Sequence, residues 1–283
     1  MHFKISYSYF LAFLFLGLLF ACGEDDDTPP PPPPLVDDVG PTSPTSYPGM
    51  ALVWSDEFDA TSINSSDWNH EIGGDGWGNN ESQYYTDRAT NSFQQEGFLV
   101  IEAREEQEGT NEYTSARMTT QGKQEFQYGR IDIRARLPRG QGIWPALWML
   151  GSNFSSVGWP KCGEIDIMEV LGHEPNKLYG TLHWEEDSNN SHAEFGGNTT
   201  LSSGSFNDSF HVFSVVWEQF EIKWLVDDVE YHSINTIAGS LDETRAEFFF
   251  IFNVAVGGNW PGYPDASTSF PQRMFVDYVR VFQ

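Results

Sequence analysis

The sequence predicts an all-β fold, either a β-sandwich or a jelly roll. Many short runs alternate apolar and polar residues with a period of two, as strands with one buried face do. Turns rich in glycine and proline separate these runs, and the 3.6-residue spacing of helices is nearly absent. Together these patterns favour a large sandwich over any helical or mixed architecture.

The chain begins with a segment that predicts export. Lys4 precedes an almost wholly apolar run from Tyr9 to Ala21, which is too short to span a membrane comfortably. Ala21 before Cys22 resembles the bacterial lipoprotein signal, in which the cysteine becomes the lipidated first residue. This resemblance implies a signal peptide at residues 1–21 and an exported lipoprotein anchored at Cys22 in the outer membrane or at the cell surface. The alternative is an ordinary signal peptide with an incidental cysteine.

Residues 22–48 are expected to form a linker. Four acidic residues at 24–27 precede six consecutive prolines at 29–34, and small polar residues follow. Such a composition cannot bury a core and favours extended polyproline geometry. We therefore expect a semi-rigid spacer followed by one domain at residues 49–283.

The composition limits the partners of this domain. The formal net charge of −26 disfavours polyanions such as nucleic acid but is compatible with a neutral polymer. If Cys22 is lipidated, Cys162 has no partner for a disulfide and is expected to be a small buried apolar residue. We expect the domain to be a monomer.

Eight alternating runs are predicted as strands. They are residues 51–54, 98–103, 129–137, 177–184, 211–217, 220–226, 248–256 and 274–282. Asp227-Asp228 separates two apolar runs and predicts a two-residue hairpin turn.

The run Gly163–Val170 contains three carboxylates among apolar residues. In a regular strand Glu164 and Asp166 share a face, whereas Glu169 points the other way. A helix, or a strand with one extra residue bulged near Met168, would reunite them, and isoleucine, valine and flanking glycines favour the strand. The sequence thus predicts three acids on one face of a bulged strand.

Aromatic residues suggest what those acids act on. Trp, Tyr and Phe make up 15% of the chain, and several tryptophans lie in glycine-rich loops. Sugar rings present flat apolar faces that pack on indole, so we favour a carbohydrate cleft. The alternative is that the tryptophans close the ends of the sandwich.

Two carboxyl groups on either side of a glycosidic bond are the usual requirement for its hydrolysis, one of them protonated. The charge of Asp166 between the other two acids would raise the pKa of a neighbouring carboxyl group. The alternative is a site for calcium or another hard cation, which three carboxylates also suit.

The acid run Glu164–Glu169 resembles the Glu-x-Asp-x-x-Glu signature of the bulged branch of glycoside hydrolase family 16. Segments 54–58, 79–86, 144–150, 180–184, 252–262 and 276–281 resemble the same family in the same order. The motifs at 80–85 and 255–262 are most similar to those of bacterial laminarinases, which are endo-β-1,3-glucanases.

The resemblance implies roles for individual residues. Glu164 would be the nucleophile and Glu169 the general acid/base, with Asp166 assisting and no cofactor needed for catalysis. His183 would orient carboxylates or bound sugar, although a histidine in a strand is more often a packing residue. The residues implied to bind substrate, with His183, are Asn80, Glu81, Gln83, Tyr85, Trp144, Trp148, Asn259 and Trp260; Glu81 or Tyr85 could equally pin a loop.

A structural calcium ion on the convex face is also implied, with Glu57, Asp277 and a backbone oxygen of Gly97 as ligands. Asp277 could instead be an ordinary polar strand residue. The resemblance also implies an all-β fold, a β-jelly-roll sandwich of two antiparallel sheets with a concave substrate cleft. The substrate it implies is a neutral β-1,3-glucan held in that cleft. Mixed-linkage β-1,3-1,4-glucan, agar, or glycan binding without cleavage remain as alternatives.

Overall fold

The alternating runs form strands throughout the computed structural model, which describes residues 36–283. The predicted signal peptide 1–21, Cys22 and linker residues up to 35 lie outside the described residues. In chain order the strands are β1 (Leu52–Asp56), β2 (Asn69–Glu71), β3 (Gln83–Tyr85), β4 (Ser92–Gln95), β5 (Phe98–Glu108), β6 (Asn111–Ser115), β7 (Arg117–Thr119), β8 (Glu125–Phe126), β9 (Gly129–Arg136), β10 (Ile143–Gly151), β11 (Glu164–Glu169), β12 (Lys177–Glu186), β13 (Ser191–Thr200), β14 (His211–Glu218), β15 (Glu221–Val226), β16 (Val229–Asn235), β17 (Phe248–Val256) and β18 (Gln272–Phe282).

Helices are short here. They are α1 (Phe154–Val157) and a 3₁₀ helix at Gly239–Arg245. Within residues 36–283, neither helix has the length and hydrophobicity needed to cross a membrane.

The strands form two sheets, which confirms the predicted all-β sandwich. Ten strands make one sheet, with the order β16-β15-β14-β9-β18-β5-β6-β3, β1 beside β18 and β4 beside β5. Eight make the other, with the order β13-β12-β11-β10-β17-β7-β2 and β8 beside β17. The strands within each sheet pair antiparallel, except that β3 and β6 are parallel.

One hydrophobic cluster joins the two sheets. It takes alternate residues from each central strand, such as Ile131 and Ile133 of β9 and Leu147 and Met149 of β10. The intervening residues of β10 point to the opposite face of the eight-stranded sheet, because side chains alternate along a strand. That second face is where the acids lie.

The hairpin between β15 and β16 turns at Asp227-Asp228, as predicted. Both residues have positive φ, 51° and 64°. That combination belongs to the type I′ turn, whose twist matches that of the flanking strands.

The start of the domain differs from the prediction, because residues 36–48 pack on the sandwich and are not a free spacer. Val36 is buried in a small apolar cluster. The Arg134 guanidinium donates to the Pro41 carbonyl at 2.7 Å and to Asp38 at 2.6 Å. The Tyr47 hydroxyl donates to Asp132 at 2.7 Å. The polar composition of this segment predicts a spacer. In the structure, however, the Pro41 carbonyl and the Asp38 carboxylate accept hydrogen bonds from Arg134 of the ten-stranded sheet.

Candidate active site

Strand β11 carries the predicted bulge. On its β10 side, Asp166 pairs with Trp148 and Met168 with Leu147, so Ile167 has no partner. On its β12 side the register also shifts between Asp166 and Glu169. Ile167 and Met168 are both buried in the core cluster. Two consecutive side chains therefore point inward, and Glu169 returns to the face of Glu164 and Asp166. The bulge prediction is confirmed.

One hydrogen bond fixes the bulged strand, and a glycine on the adjacent strand makes room for its donor. The indole nitrogen of Trp224 donates to the carbonyl oxygen of Asp166 at 2.7 Å. Gly180 of β12 lies opposite the bulge, between the partners of Asp166 and Glu169. A Cβ at Gly180 would lie 2.5 Å from Cδ1 of Trp224 and 2.6 Å from the Tyr231 hydroxyl. Glycine at this position lets β12 approach the tryptophan that fixes the bulge.

The three acids have unusual electrostatics. Burial, followed by the charge of Asp166, raises the pKa of Glu164 to about 8. Burial, followed by the charge of Glu194, raises the pKa of Asp166 to about 8. Burial, followed by the charges of Asp166 and Glu164, raises the pKa of Glu169 well above its ordinary value. Each of these carboxyl groups therefore binds a proton more strongly than an ordinary acidic side chain does.

His183 lies beside two of the acids. Its Nε2 is 3.0 Å from Oδ2 of Asp166 and 3.7 Å from Oε1 of Glu164. Its Nδ1 faces away from them, 2.8 Å from Nε2 of His192. The ring therefore joins the acid cluster to the neighbouring strand β13.

Aromatic side chains adjoin the Glu169 end of the acid cluster. The indole nitrogen of Trp144 donates to Oε1 of Glu169 at 3.0 Å. Trp260 packs edge-on against Trp144 and Tyr179, with ring centroids 5.5 Å and 4.9 Å away. Trp260 also remains 41% exposed, so its ring is available to a ligand.

A second aromatic group surrounds Arg117. The guanidinium lies 4.8 Å from the ring of Trp77 and 4.7 Å from the ring of Trp148, and it is paired with Glu71. The indole nitrogen of Trp148 donates to Oδ1 of Asn253 at 2.8 Å. Trp148 is thus held in place on its face and at its polar edge, as a rigid platform requires.

The structure corrects the expected sugar contacts of Gln83 and Tyr85. Both side chains are fully buried, and Glu81 is nearly so. Glu81 accepts hydrogen bonds from Gln83 at 2.6 Å and from Tyr85 at 3.2 Å. Gln83 in turn accepts from the backbone of Val256 at 2.7 Å. These residues pin their loop to β17 and do not reach a glucose hydroxyl.

Asn80 and Asn259 differ from their buried neighbours, since both are exposed. The side chain of Asn80 donates to Oδ1 of Asn259 at 2.9 Å. The backbone of Asn259 also donates to the carbonyl of Asn79 at 2.8 Å. Two loops distant in sequence are therefore joined, with polar groups left for a ligand.

The residues expected to bind calcium do not fit that role. Both carboxylate oxygens of Glu57 accept from Arg280, at 2.9 Å and 2.7 Å. Asp277 accepts from Arg134 at 2.7 Å. Arginines already supply the positive charge that the ion would bring.

Three further residues lie at this site and were not expected there. Arg117, Asn253 and Tyr179 come from three separate strands. Of these, Asn253 lies in the matching segment 252–262, whereas Arg117 and Tyr179 lie outside the matching segments. Trp159 stands between Gly158 and Pro160, and that glycine-flanked pattern did indicate a loop tryptophan. In the structure its ring centroid lies 6.3 Å from that of His183 and 4.7 Å from that of His192.

Comparison with known proteins agrees with this geometry. The family described as glycosyl hydrolases family 16 matches residues 76–280. The chain is 41% identical over 250 residues to a beta-glucanase of Rhodothermus marinus, covering 83% of this chain and 86% of that protein. It is 39% identical over 254 residues to a glucan endo-1,3-beta-glucosidase of Cryptopygus antarcticus, covering 83% and 93%. The laminarinase catalytic domain of Thermotoga maritima is 49% identical with a TM-score of 0.77, covering 83% of this chain and 98% of that one.

Proposed function

Because this chain belongs to family 16 of the glycosyl hydrolases, we propose that it is a retaining, endo-acting enzyme that cleaves β-1,3-glucan of the laminarin type. Relatives named beta-glucanase and glucan endo-1,3-beta-glucosidase support this substrate. The observation that carries the proposal is the bulge of β11, which places Glu164, Asp166 and Glu169 on one face.

In the first step Glu164 is the nucleophile. Its carboxylate oxygen attacks the anomeric carbon and forms a glycosyl ester, while Glu169 donates its proton to the departing glycosidic oxygen. The bond between the anomeric carbon and that oxygen breaks, and the leaving sugar chain departs as a neutral alcohol. Glu169 suits this role because its pKa is raised well above that of an ordinary carboxyl group.

In the second step Glu169 is the base. As a carboxylate it takes a proton from water, whose oxygen attacks the anomeric carbon and releases Glu164. Two inversions leave the product with the β configuration of the substrate. Asp166 assists from its place between the two glutamates on the same face of β11, and His183 orients Asp166 through the contact at 3.0 Å. The chemistry requires no cofactor.

The polymer is held by aromatic and amide side chains. Trp260 and Trp148 offer flat surfaces for sugar rings, and Asn80 and Asn259 offer hydrogen bonds to hydroxyl groups. The formal charge of −26 favours a neutral polysaccharide over a sulfated one. We propose that the domain works as a monomer.

Membrane attachment is a separate proposal, which rests on the resemblance of residues 1–22 to a lipoprotein signal. A lipid on Cys22 would anchor the enzyme to the outer membrane or the cell surface. The test is Cys22→Ser expressed in a bacterial host that processes lipoproteins. We expect the wild type in the membrane fraction and the variant in the soluble exported fraction. Equal membrane association of both would contradict the proposal.

Product analysis tests the catalytic proposal. The purified protein is incubated with laminarin, lichenan, agar and carrageenan, and the released oligosaccharides and their first-formed anomer are measured. We expect laminarin to be shortened to oligosaccharides whose new reducing ends are initially β. Preferential cleavage of lichenan or agar would show that laminarin is not the preferred substrate. An initial α anomer would contradict the retaining mechanism. Binding of laminarin without new reducing ends would indicate a binding protein.

A further inference from the structure

A cluster of metal-ligating atoms lies beside the acids, between the last two strands of the eight-stranded sheet. His183 of β12 pairs directly with Glu194 of β13, and His192 is two residues before Glu194. Because residues i and i+2 share a face of a strand, all three side chains point to the same side. Two imidazoles and one carboxylate therefore meet at an accessible sheet edge.

The distances suit a small ion. His183 Nδ1 lies 2.8 Å from His192 Nε2 and 3.5 Å from Oε2 of Glu194. His192 Nε2 lies 3.7 Å from the same oxygen. Tetrahedral Zn²⁺ with ligands at about 2.0–2.2 Å separates neighbouring ligand atoms by roughly 3.3–3.6 Å. Only the pair of histidine nitrogens has to open, by about 0.5 Å.

A further contact orients the first histidine for coordination. Metal-bound histidines typically donate their second ring N–H to a carboxylate, which fixes the tautomer. Nε2 of His183 is 3.0 Å from Oδ2 of Asp166. With its proton on Nε2, His183 turns a lone pair on Nδ1 toward His192 and Glu194. The carboxylate–histidine half of a metal site is thus already in place.

We propose that His183, His192 and Glu194 form a binding site for a divalent transition-metal ion of the Zn²⁺ type. Nitrogen donors favour Zn²⁺ over Ca²⁺ or Mg²⁺, which take oxygen ligands. Three protein ligands leave the fourth position to water, as in open zinc sites. The bound ion ties the edge strand β13 to β12 and fixes the His183 ring beside Asp166. Metal binding does not depend on which glycan the enzyme cleaves.

Direct binding measurements test the site. Untagged protein is titrated with ZnCl₂ by calorimetry and in competition with a chromophoric chelator. We expect one Zn²⁺ per chain at this site and a rise in Tm of roughly 5 °C at saturating Zn²⁺. His192→Ala should weaken binding by at least about 100-fold, and Glu194→Gln by about 10-fold or more.

The matched control is His173→Ala, which removes an exposed histidine outside the cluster and should bind Zn²⁺ like the wild type. CaCl₂ should not displace the bound Zn²⁺. If His192→Ala does not fold, as judged by its thermal unfolding, Glu194→Gln decides alone. The proposal is overturned if the wild type shows no saturable binding below about 1 mM, or if His192→Ala and Glu194→Gln bind as tightly as His173→Ala.

Discussion

Buried carboxylates occur on both sheets, and their partners differ. On the ten-stranded sheet, Asp132 is fully buried and accepts hydrogen bonds from Arg130 at 2.8 Å, Ser214 at 2.7 Å and Tyr47 at 2.7 Å. Glu102 on the same sheet is also buried and is paired with both Arg104 and Arg273. Here each acid has at least one guanidinium to balance its charge.

On the eight-stranded sheet, Glu164, Asp166 and Glu169 are clustered with one another. Their hydrogen-bond partners are indole and imidazole groups, and no salt bridge joins them to arginine or lysine within residues 36–283. The pKa of each is raised by burial and by a neighbouring negative charge. Removing one partner of a buried acid–arginine pair is strongly destabilising, whereas a buried acid among other acids is available for proton transfer.

The sharpest test of this contrast removes the acids of the eight-stranded sheet one at a time. Glu164→Gln should lower kcat on laminarin by at least about 10⁴-fold, because no carboxylate remains to form the ester. Glu169→Gln should lower it by about 10²–10⁴-fold. Neither change should lower the free energy of unfolding, because each replaces a buried acid that faces other acids with a neutral amide of the same shape. A variant that keeps wild-type kcat would contradict its assigned role.

Added azide separates the two roles. With Glu164→Gly, azide should take the place of the missing nucleophile. It attacks the anomeric carbon from the face opposite the leaving oxygen and yields an α-glycosyl azide. With Glu169→Ala, azide should attack the glycosyl enzyme and yield a β-glycosyl azide. The opposite anomers would exchange the two assignments.

Removing a paired acid from the other sheet should have the reverse consequence. Asp132→Ala leaves the buried Arg130 with Asp228, at 2.9 Å, as its remaining carboxylate partner, and breaking a buried pair costs up to about 3–5 kcal/mol. Urea unfolding should show this loss, while kcat per folded molecule on laminarin stays at the wild-type value. An unchanged free energy of unfolding would show that Asp132 is not a structural acid of the kind described.

Arg117 belongs to the eight-stranded sheet. It packs against aromatic rings at the site, whereas the arginines described above on the ten-stranded sheet pair with buried acids. Arg117→Leu removes its stacking on Trp77 and Trp148, each contact contributing about 0.5–2 kcal/mol. We expect KM for laminarin to rise by about threefold to tenfold with a smaller change in kcat. Arg273→Leu, which alters the pairing of Glu102 instead, is the control and should leave KM unchanged. Equal effects of the two substitutions would argue against a platform role for Arg117.

The smallest expected effect concerns the proton on Glu169. The Trp144 indole donates to its carboxylate and so lowers its pKa. Trp144→Phe removes that hydrogen bond, which raises the pKa. Activity depends on protonated Glu169 and falls as pH rises through this pKa, so the alkaline limb of the pH–kcat profile should move upward by up to about one pH unit. A downward shift would contradict the proposed general acid.

Local patterns predicted much of this molecule. Period-two alternation identified the main strands, and the five-residue spacing of Glu164 and Glu169 predicted the bulge, because the parity of a strand depends only on neighbouring residues. The site residues that local patterns missed are separated by long stretches of chain. Arg117 and Asn253, for example, pair across β7 and β17.

The sequence by itself determined the fold class, the family and the three acids on one face. Only the tertiary structure decided that Gln83 and Tyr85 are buried, that residues 36–48 belong to the domain and that arginines hold Glu57 and Asp277. The physical reason is that burial and charge balance depend on groups brought together from distant strands. A carboxylate has the same local sequence signature whether a guanidinium or another carboxylate faces it.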